Sequence, residues 1–309
     1  MKTSNFILFI ICLPGFSLAQ TTDSVNIKRT LNEININAIR ADYTTPVAYT
    51  NLSKTEIEKS NLGQDLPFLI SLSPSIVTTS DAGAGIGYTG FRIRGTDPSR
   101  INVTINGIPI NDSESQGVWW VNMPDFASSL ENIQIQRGVG TSTNGAAAFG
   151  ASINLKTMNI NNDAYTETNN SIGSFNTLKN NIKFGSGVIS NKFTFDARLS
   201  KIISNGYIDR ASSDLKSLYL QGTYFNKTSI LKGIIFSGNE RTYQAWNGVP
   251  LSYINDDSLR AFNSYTYENE TDNYWQDHYM MHYNKQLSAT ASFNLGLHYT
   301  KGRGYYEQY

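Results

Sequence analysis

The sequence predicts an α+β domain followed by antiparallel transmembrane β-strands that make up part of a barrel. Short segments that alternate apolar and polar residues, separated by glycine, proline and asparagine, fill residues 90–157. From about residue 164 the alternating segments lengthen to ~10 residues, which is typical of membrane-spanning strands. An apolar N-terminal stretch is the third observation, because it has the composition of an export signal.

The composition excludes several classes of function. The 309 residues carry 25 basic and 25 acidic side chains, whereas a protein that binds nucleic acid electrostatically has a basic excess. After the N-terminal stretch, no run reaches the ~20 apolar residues of a membrane-spanning helix. Charged residues make up 16% of the chain, below the roughly 25% of an average soluble domain, which favours short strands with polar faces.

The first 19 residues have the three parts of a secretory signal peptide. Lys2 supplies the positive charge, Phe6–Phe16 forms the apolar centre, and the small residue Ala19 precedes the expected cleavage site. A buried first helix is the alternative, but Pro14 interrupts it. The single cysteine lies inside this segment, so removal of the segment leaves no disulfide and no thiolate chemistry.

Three strands are predicted in the segment at residues 90–157, over Phe91–Arg94, Asn102–Ile105 and Ile133–Gln136. The second strand runs into Asn106 and Gly107, a pair that favours the positive φ angles of a type I′ turn. The sequence therefore predicts a tight hairpin at this point.

Short helices are predicted on both sides of the first of these strands. Ser53 followed by Glu56 matches a capping box, and residues 61–65 break the helix into two pieces. Asp125 is predicted to cap one or two further helical turns that lead into the third strand.

Four segments resemble, in the same order, the plug domain of TonB-dependent outer-membrane receptors. They are Phe91–Gly95, Val103–Pro109, Ile133–Gly138 and Gly145–Thr157. The remaining chain is similar to that family more loosely. The resemblance implies an α+β plug domain followed by antiparallel transmembrane β-barrel strands, here an incomplete barrel of about 7–8 strands out of about 22.

A β-prone segment before the plug has no hairpin partner beside it. Its alternation of isoleucine with asparagine leaves an edge that another protein could extend, although pairing with the plug is the alternative. The segment resembles the energy-coupling box of this family, with asparagine in place of the commoner small or apolar residues. The resemblance implies that TonB contacts Leu31, Glu33, Ile34 and Ile36.

Three loops carry the candidate ligand-binding residues. The glycine-rich loop at residues 80–88 lacks the spacing of a phosphate-binding loop, and the resemblance implies that it faces an extracellular vestibule. In the second loop, at residues 111–124, two tryptophans are adjacent. Neighbouring residues of a strand point in opposite directions, so we expect one tryptophan to be packed and the other exposed. The candidates are Asp81, Tyr88, Glu114, Gln116, Trp119, Trp120, Arg241, Tyr243 and Trp246.

A second set of residues is predicted to support the plug. The three arginines of this set are expected to form buried ion pairs or hydrogen bonds to the barrel wall, and the other four residues occupy turn positions. The set is Arg92, Arg94, Gly95, Asn106, Gly107, Arg137 and Gly138.

Seven segments from residue 164 onward alternate apolar with polar residues. A lipid-facing apolar row and a lumen-facing polar row explain this pattern, although soluble sandwiches also alternate. The signal peptide, the tyrosines and the preceding plug favour a barrel. Residues 305–309 are a possible eighth strand, and the shortfall from about 22 strands indicates an N-terminal fragment of a longer receptor.

The connections and the histidines complete the prediction for the barrel. Long connections at residues 205–215 and 241–273 are expected outside the cell, and short ones at 187–191 and 226–229 in the periplasm. His278 and His282 would lie ~13 Å apart on one strand, too far to share a metal ion. We therefore expect lumen or interface roles and no metal site.

The resemblance implies an outer-membrane receptor of a Gram-negative cell that imports a scarce ligand, with a ferric chelate of the siderophore type as the first candidate. Cobalamin, an oligosaccharide and a surface receptor that does not transport are the alternatives. A secreted glycosidase would need paired carboxylates in a cleft, and the acidic pairs of the C-terminal half lie in a polar loop, so we expect no enzyme and no catalytic residue.

The predicted organisation is a signal peptide at 1–19, a periplasmic segment at 20–49, the plug at 50–158 and the first barrel strands at 159–309. The expected partners are TonB of the inner-membrane complex, a small-molecule ligand such as a metal chelate, and outer-membrane lipid. No cofactor and no nucleic acid are expected.

Overall fold

The computed structural model describes residues 40–140, 145 and 147–309. The predicted signal peptide at residues 1–19 and the predicted TonB contacts Leu31, Glu33, Ile34 and Ile36 lie outside the described residues.

The first part of the described chain forms a small α+β unit at the position of the predicted plug, and we call this unit the plug. Its elements are β1 (Ala48–Ser53), α1 (Lys54–Ser60), α2 (Leu66–Leu69), β2 (Ile76–Ser80), β3 (Thr89–Ile93), β4 (Ile101–Ile105), β5 (Ile108–Pro109), β6 (Leu130–Arg137) and β7 (Ala151–Thr157). Five of the strands form a sheet in the order β1-β6-β7-β4-β5, in which only the β4–β7 pair is parallel. Strands β2 and β3 form a separate antiparallel hairpin.

Local sequence signals account for several of these elements. Ser53 and Glu56 form the predicted capping box, with the Glu56 carboxylate accepting the Ser53 backbone N–H at 2.8 Å. Asn106 and Gly107 have φ angles of 48° and 86°, as a two-residue type I′ turn requires, and Ile105 pairs with Ile108 across it. The predicted hairpin and the predicted break between the two helices are confirmed.

The predicted helical turn after Asp125 is present as a 3-10 helix at Phe126–Ser129, but Asp125 does not cap it. The residue has φ of 52° and makes no side-chain bond to the backbone of the helix. Its carboxylate instead accepts a hydrogen bond from the side-chain hydroxyl of Ser128 at 2.6 Å and also contacts later strands of the chain.

The second part of the described chain is a seven-stranded antiparallel sheet, which we call the wall. Each strand pairs with its neighbours in sequence. The strands are β8 (Ala164–Gly173), β9 (Thr177–Ser186), β10 (Phe193–Ser204), β11 (Ser213–Phe225), β12 (Ser229–Tyr243), β13 (Thr271–Gln286) and β14 (Ser292–Tyr306). Tyr305 and Tyr306 end β14, so the possible eighth strand at residues 305–309 is wrong for the described chain.

The two faces of the wall have opposite character. On β10, Thr194 and Ser200 are buried on the inner face, whereas Phe195 and Leu199 are 56% and 50% exposed on the other face. The aligned outward positions of the neighbouring strands, including Leu220 and Ile235, are also exposed apolar residues. The predicted division into an apolar lipid row and a polar inner row is confirmed for these strands.

The plug core continues onto the inner face of the wall. Phe126 packs on Phe236 with ring centroids 4.8 Å apart and on Tyr219 at 6.2 Å. Isoleucines of β6 and β7, such as Ile133 and Ile153, complete the same buried cluster. Because apolar side chains from both parts are removed from water together, the plug and the wall stabilise each other.

Long and short connections lie at opposite ends of the wall. Loops at residues 205–212 and 244–270 leave one end, which also has the short β8–β9 turn, and turns at 187–192, 226–228 and 287–291 leave the other. The glycine-rich β2–β3 loop of the plug contacts the long-loop end, where Tyr207 donates its backbone N–H to the Ala82 carbonyl at 2.8 Å. No helix among the described residues has the length and apolarity needed to cross a membrane.

Candidate ligand-binding site

A cavity of about 720 Å³ opens between the plug and the wall at the end that carries the long loops. The plug contributes Asp81 and Tyr88 from the β2–β3 loop and residues between Asp112 and Asn122 from the next loop. The wall contributes residues near the ends of β12, β13 and β14. Trp246 comes from the loop at residues 244–270, which we call the long loop. The plug and the wall therefore share the site.

Tyr88 joins the two halves of the cavity. Its hydroxyl donates a short hydrogen bond to the carboxylate of Asp272 on β13. Its ring meets Trp119 at 6.1 Å and Trp246 at 5.6 Å in edge-to-face geometry. Burial, followed by the nearby charges of Glu240 and Asp272, raises the pKa of Tyr88, so the phenol stays protonated and acts as a donor.

Trp246 extends this aromatic cluster across the long loop. Its ring centroid lies 5.7 Å from Tyr306 and 6.3 Å from Tyr265, again edge to face. Its indole N–H is buried and has no hydrogen-bond partner in the described part of the chain. The cluster thus holds one donor that is not engaged by the protein.

Five carboxylates line the same cavity. They are Asp81, Asp112, Glu114, Glu240 and Asp272. Burial raises the pKa of Asp81 to about 6, whereas hydrogen bonds from the Ser115 and Glu114 backbone N–H groups lower the pKa of Asp112 against a smaller effect of burial. Glu240 is 1% exposed and accepts a hydrogen bond from the Thr242 hydroxyl at 3.1 Å.

The structure brings five of the predicted ligand-binding residues together in this cavity: Asp81, Tyr88, Glu114, Trp119 and Trp246. Of the two adjacent tryptophans, Trp119 is 51% exposed and Trp120 is 4% exposed against Phe91. One is packed and the other exposed, as the alternation predicts.

Four predicted ligand-binding residues do not line the cavity. Trp120 belongs to the plug core, and Gln116 is an exposed loop residue with φ of 59°. Arg241 is exposed on the outer face of β12, in the opposite phase to Glu240. Tyr243 is 8% exposed and donates to the Tyr267 carbonyl at 2.5 Å, so it closes the base of the long loop.

Sequence reasoning missed several residues that line the cavity, among them Asn122, Glu240, Asp272, Tyr274 and Tyr306. The alternation along β12 contained a usable signal, because Glu240 lies in the same phase as the inward-facing Phe236. Asp272 had no such signal, since its place opposite Thr242 depends on the β12–β13 register.

A second polar centre, the Asp125 anchor, fastens the plug to the wall. The carboxylate of Asp125 lies 2.8 Å from Lys179 Nζ and 3.6 Å from Arg198, and all three side chains are almost fully buried. Asn181 and Ser200 also donate to this carboxylate. Burial alone would raise the pKa of Asp125, but Arg198 and Lys179 hold it below its ordinary value.

The predicted plug-to-wall role of the three arginines is wrong for the described residues. Arg92 is half exposed and pairs with Asp97 at 3.4 Å, and Arg137 donates to the Thr50 hydroxyl at 2.6 Å, both within the plug. Arg94 is exposed in a turn with φ of 52°. The wall instead supplies the cations of the Asp125 anchor, because its inner face carries basic side chains.

The predicted turn residues occupy left-handed positions, with φ of 76° at Gly95 and 110° at Gly138.

His278 and His282 are both buried on the inner face of β13, and the rings of His278 and His298 stack with nitrogens 3.2 Å apart. The described residues contain no group of three or more side chains placed to hold a metal ion.

Comparison with known proteins identifies the plug. Residues 41–152 match the family model of the TonB-dependent Receptor Plug Domain. The vitamin B12 transporter BtuB of Vibrio vulnificus is 30% identical over 118 residues, which cover 38% of this chain and 19% of that protein. The probable TonB-dependent siderophore receptor PirA of Acinetobacter baumannii is 26% identical over 187 residues, covering 57% and 22% respectively.

Solved structures show the same fold at low sequence identity. The ferric-catecholate import receptor Fiu from Escherichia coli K12 is 15% identical with a TM-score of 0.68, covering 84% of this chain and 39% of that chain. The unliganded ferric citrate transporter FecA is 18% identical with a TM-score of 0.67, covering 85% and 41%. The chain thus spans about a fifth of the curated relatives and two-fifths of the solved receptors.

A small α+β sheet docked on an up-and-down wall, apolar outside and polar inside, has the fold of the solved outer-membrane receptors over about two-fifths of their length. Residues 41–152 carry the plug domain of the TonB-dependent receptors, and β8–β14 resemble part of the barrel of the solved receptors. Members of this family are outer-membrane receptors, which agrees with the predicted location.

Proposed function

We propose that this receptor imports a scarce small molecule across the outer membrane, with a ferric chelate of the siderophore type as its ligand. The observation that carries the proposal is the shared cavity, in which Tyr88 and Trp119 of the plug face Asp272 and Trp246 of the wall and long loop. A ligand seated there contacts both parts, so movement of the plug takes the site apart and releases the ligand.

The N-terminal border of the plug offers a path for force from TonB. The Ala41 backbone exchanges two hydrogen bonds with the Gln134 side chain, at 2.8 and 2.9 Å. The following strand, β1, is an edge strand that pairs only with β6 in the described sheet. A pull applied before residue 40 would load the hydrogen bonds of Arg40 to Asn132 and Asn154 and then those of Ala41, and would next peel β1 from the sheet.

The names of the relatives support the choice of ligand class. Fiu, FecA and PirA are described as receptors or transporters of ferric chelates or siderophores. One relative is a vitamin B12 transporter, so cobalamin is the second candidate, and an oligosaccharide or a receptor that binds without transport are further alternatives.

Uptake of labelled ferric chelates by cells that carry the full-length receptor tests the proposal. We expect accumulation that requires both TonB and the segment at residues 31–37, because that segment would form the strand that TonB engages. A control deletion of equal length placed between residues 20 and 30, after the predicted signal peptide, should retain uptake. Binding without TonB-dependent accumulation of any chelate would favour a surface receptor that does not transport. Accumulation of cobalamin alone would show that cobalamin, and not a ferric chelate, is the ligand.

A further inference from the structure

We propose that the shared cavity recognises its ligand through a positively charged group, an ammonium or a guanidinium, and so selects cationic chelates over anionic ones. The inference deepens the proposed import function, because it concerns the ligand of the same site. It rests on the charge, the aromatic walls and the unengaged polar atoms of the cavity.

The charge of the lining has one sign. The described residues that line the cavity include the five carboxylates and no lysine, arginine or histidine. Nearby arginines are committed elsewhere: Arg210 donates to the carbonyls of Asn263 and Tyr265, and Arg303 pairs with Asp277. A cleft of one sign with low-dielectric walls concentrates ions of the opposite sign, and it repels an anionic chelate.

The walls between these carboxylates are aromatic. Trp119 is 51% exposed, and Tyr305 and Tyr306 at the end of β14 are 57% and 60% exposed. A cation within about 6 Å of such a ring is attracted by the negative face of the π-system, most strongly by tryptophan. Carboxylates alternating with aromatic rings are therefore suited to an organic cation rather than to a bare metal ion, which prefers oxygen ligands.

An unengaged acceptor provides independent support. Asn122 lies on the 3-10 helix Trp120–Asn122, is 7% exposed and lines the cavity, and its Oδ1 has no hydrogen-bond partner among the described residues. A buried acceptor left unpaired is costly, and a ligand ammonium, which has three donors and no acceptor, would satisfy it.

The indole N–H of Trp246 has the opposite requirement. It is a buried donor without a partner among the described residues, and it needs an acceptor oxygen. A ligand that carries a cationic group and a hydroxamate or carbonyl oxygen would satisfy both Asn122 and Trp246. These are features of a metal chelate with a free amine.

A matched pair of probes separates charge from shape. The first is a linear ferric trihydroxamate that ends in a free ammonium, and the second is its N-acetylated, neutral counterpart. A ferric tris-catecholate serves as the anionic probe. Binding to the purified full-length receptor is followed by quenching of tryptophan fluorescence at two salt concentrations.

We expect the ammonium form to bind about tenfold more tightly than the acetylated form, since hydrogen bonds to charged groups are stronger than neutral ones. The advantage should shrink as salt increases. Equal binding of the pair, tighter binding of the tris-catecholate, or no binding of the ammonium form overturns the proposal.

Substitutions test which carboxylates carry the preference. Glu114→Gln keeps the shape of the side chain and should reduce the preference for the ammonium form to about twofold or less. Asp81→Asn, on the β2–β3 loop, provides a second variant if Glu114→Gln does not assemble. Glu268→Gln, an exposed acid of the long loop outside the cavity, should leave the preference unchanged. An undiminished preference in both cavity variants contradicts the assignment.

The import function and the charge preference can fail separately. TonB-dependent accumulation of an anionic chelate, without accumulation of the cationic one, would uphold import and overturn the charge preference. Tight binding of the ammonium form without TonB-dependent accumulation of any chelate would uphold the charge preference and overturn import.

Discussion

Asp125 makes the plug depend on the wall through one carboxylate. Its two cationic partners are on different wall strands, with Lys179 on β9 and Arg198 on β10. Removal of the carboxylate would leave both cations buried without a counter-charge, which costs far more than the loss of a solvent-exposed ion pair.

Asp125→Asn should therefore loosen the plug. We expect the free energy of plug unfolding in the full-length receptor to fall by about 3–5 kcal/mol, measured as protease cleavage of the plug at increasing urea. Asp97→Asn is the matched control, because its partner Arg92 is exposed, and it should cost about 1 kcal/mol or less. Equal effects of the two substitutions would show that the Asp125 anchor does not secure the plug.

Asp65 gives the plug a pH dependence of the opposite sign to that of Asp125. Burial raises the pKa of Asp65 to about 8 from 3.8, with the Thr89 hydroxyl bond acting against it. Between pH 3.8 and about 8, Asp65 therefore stays protonated in the folded plug but is ionised in the unfolded chain. The contribution of Asp65 to stability falls as pH rises through this window.

Asp65→Asn should remove this dependence. An asparagine can still accept the Thr89 hydrogen bond, and it carries no charge to bury. We expect the variant to be more stable than the parent at pH 8, on the order of a few kcal/mol, and similar to it near pH 4. Urea unfolding of the plug at both values measures the difference, and an identical pH profile in both proteins would contradict the prediction.

The β4–β5 hairpin shows how much of one element is locally encoded. Asn106 and Gly107 alone predict the turn, and the structure has the two positive φ angles that they favour. The plug capping box is equally local, since its partners are three residues apart. Such elements can be predicted because their stabilising contacts lie within the same short segment.

Gly107→Ala should strain this hairpin. With φ of 86°, an added Cβ is unfavourable, and we expect a loss of roughly 1 kcal/mol or more in plug stability. Gly117→Ala is the control, because Gly117 has no positive φ and its new Cβ would meet no atom closer than 3.9 Å. Urea unfolding of both variants measures the difference, and a larger loss in the Gly117 variant would refute the turn argument.

The long-loop region shows where local reasoning ends. Tyr243 and Trp246 are three residues apart, and both were predicted to bind ligand. The structure uses the first to close the loop and places the second in the cavity. Their roles differ because β12 ends between them, so no strand alternation relates them.

The outer face of the wall forms a belt across the whole molecule. Ala197, Leu220, Ile235, Tyr279 and Tyr299 are aligned across five strands by register. A polar row that includes Lys201, Lys216 and Asn239 lies nearer the long loops. This arrangement is typical of an apolar membrane band with a polar border.

Leu220→Arg should therefore impair assembly of the full-length receptor. A lipid-facing arginine near the centre of the band costs about 2–4 kcal/mol, and about 1 kcal/mol or less near the interface. Asn239→Arg, on the same face in the polar row, is the control. The fraction of protease-resistant receptor in outer membranes measures assembly. Equal fractions for both variants would contradict the assignment of Leu220 to the lipid-facing apolar band.

The sequence by itself determined the capping box at Ser53, the hairpin at Asn106 and the two faces of the wall. Each of these follows from contacts a few residues apart or from the two-residue period of a strand. Tertiary structure alone decided which distant groups meet. The Tyr88–Asp272 bond joins residues 184 positions apart, and it depends on strand register and on how the plug docks, which no local pattern encodes.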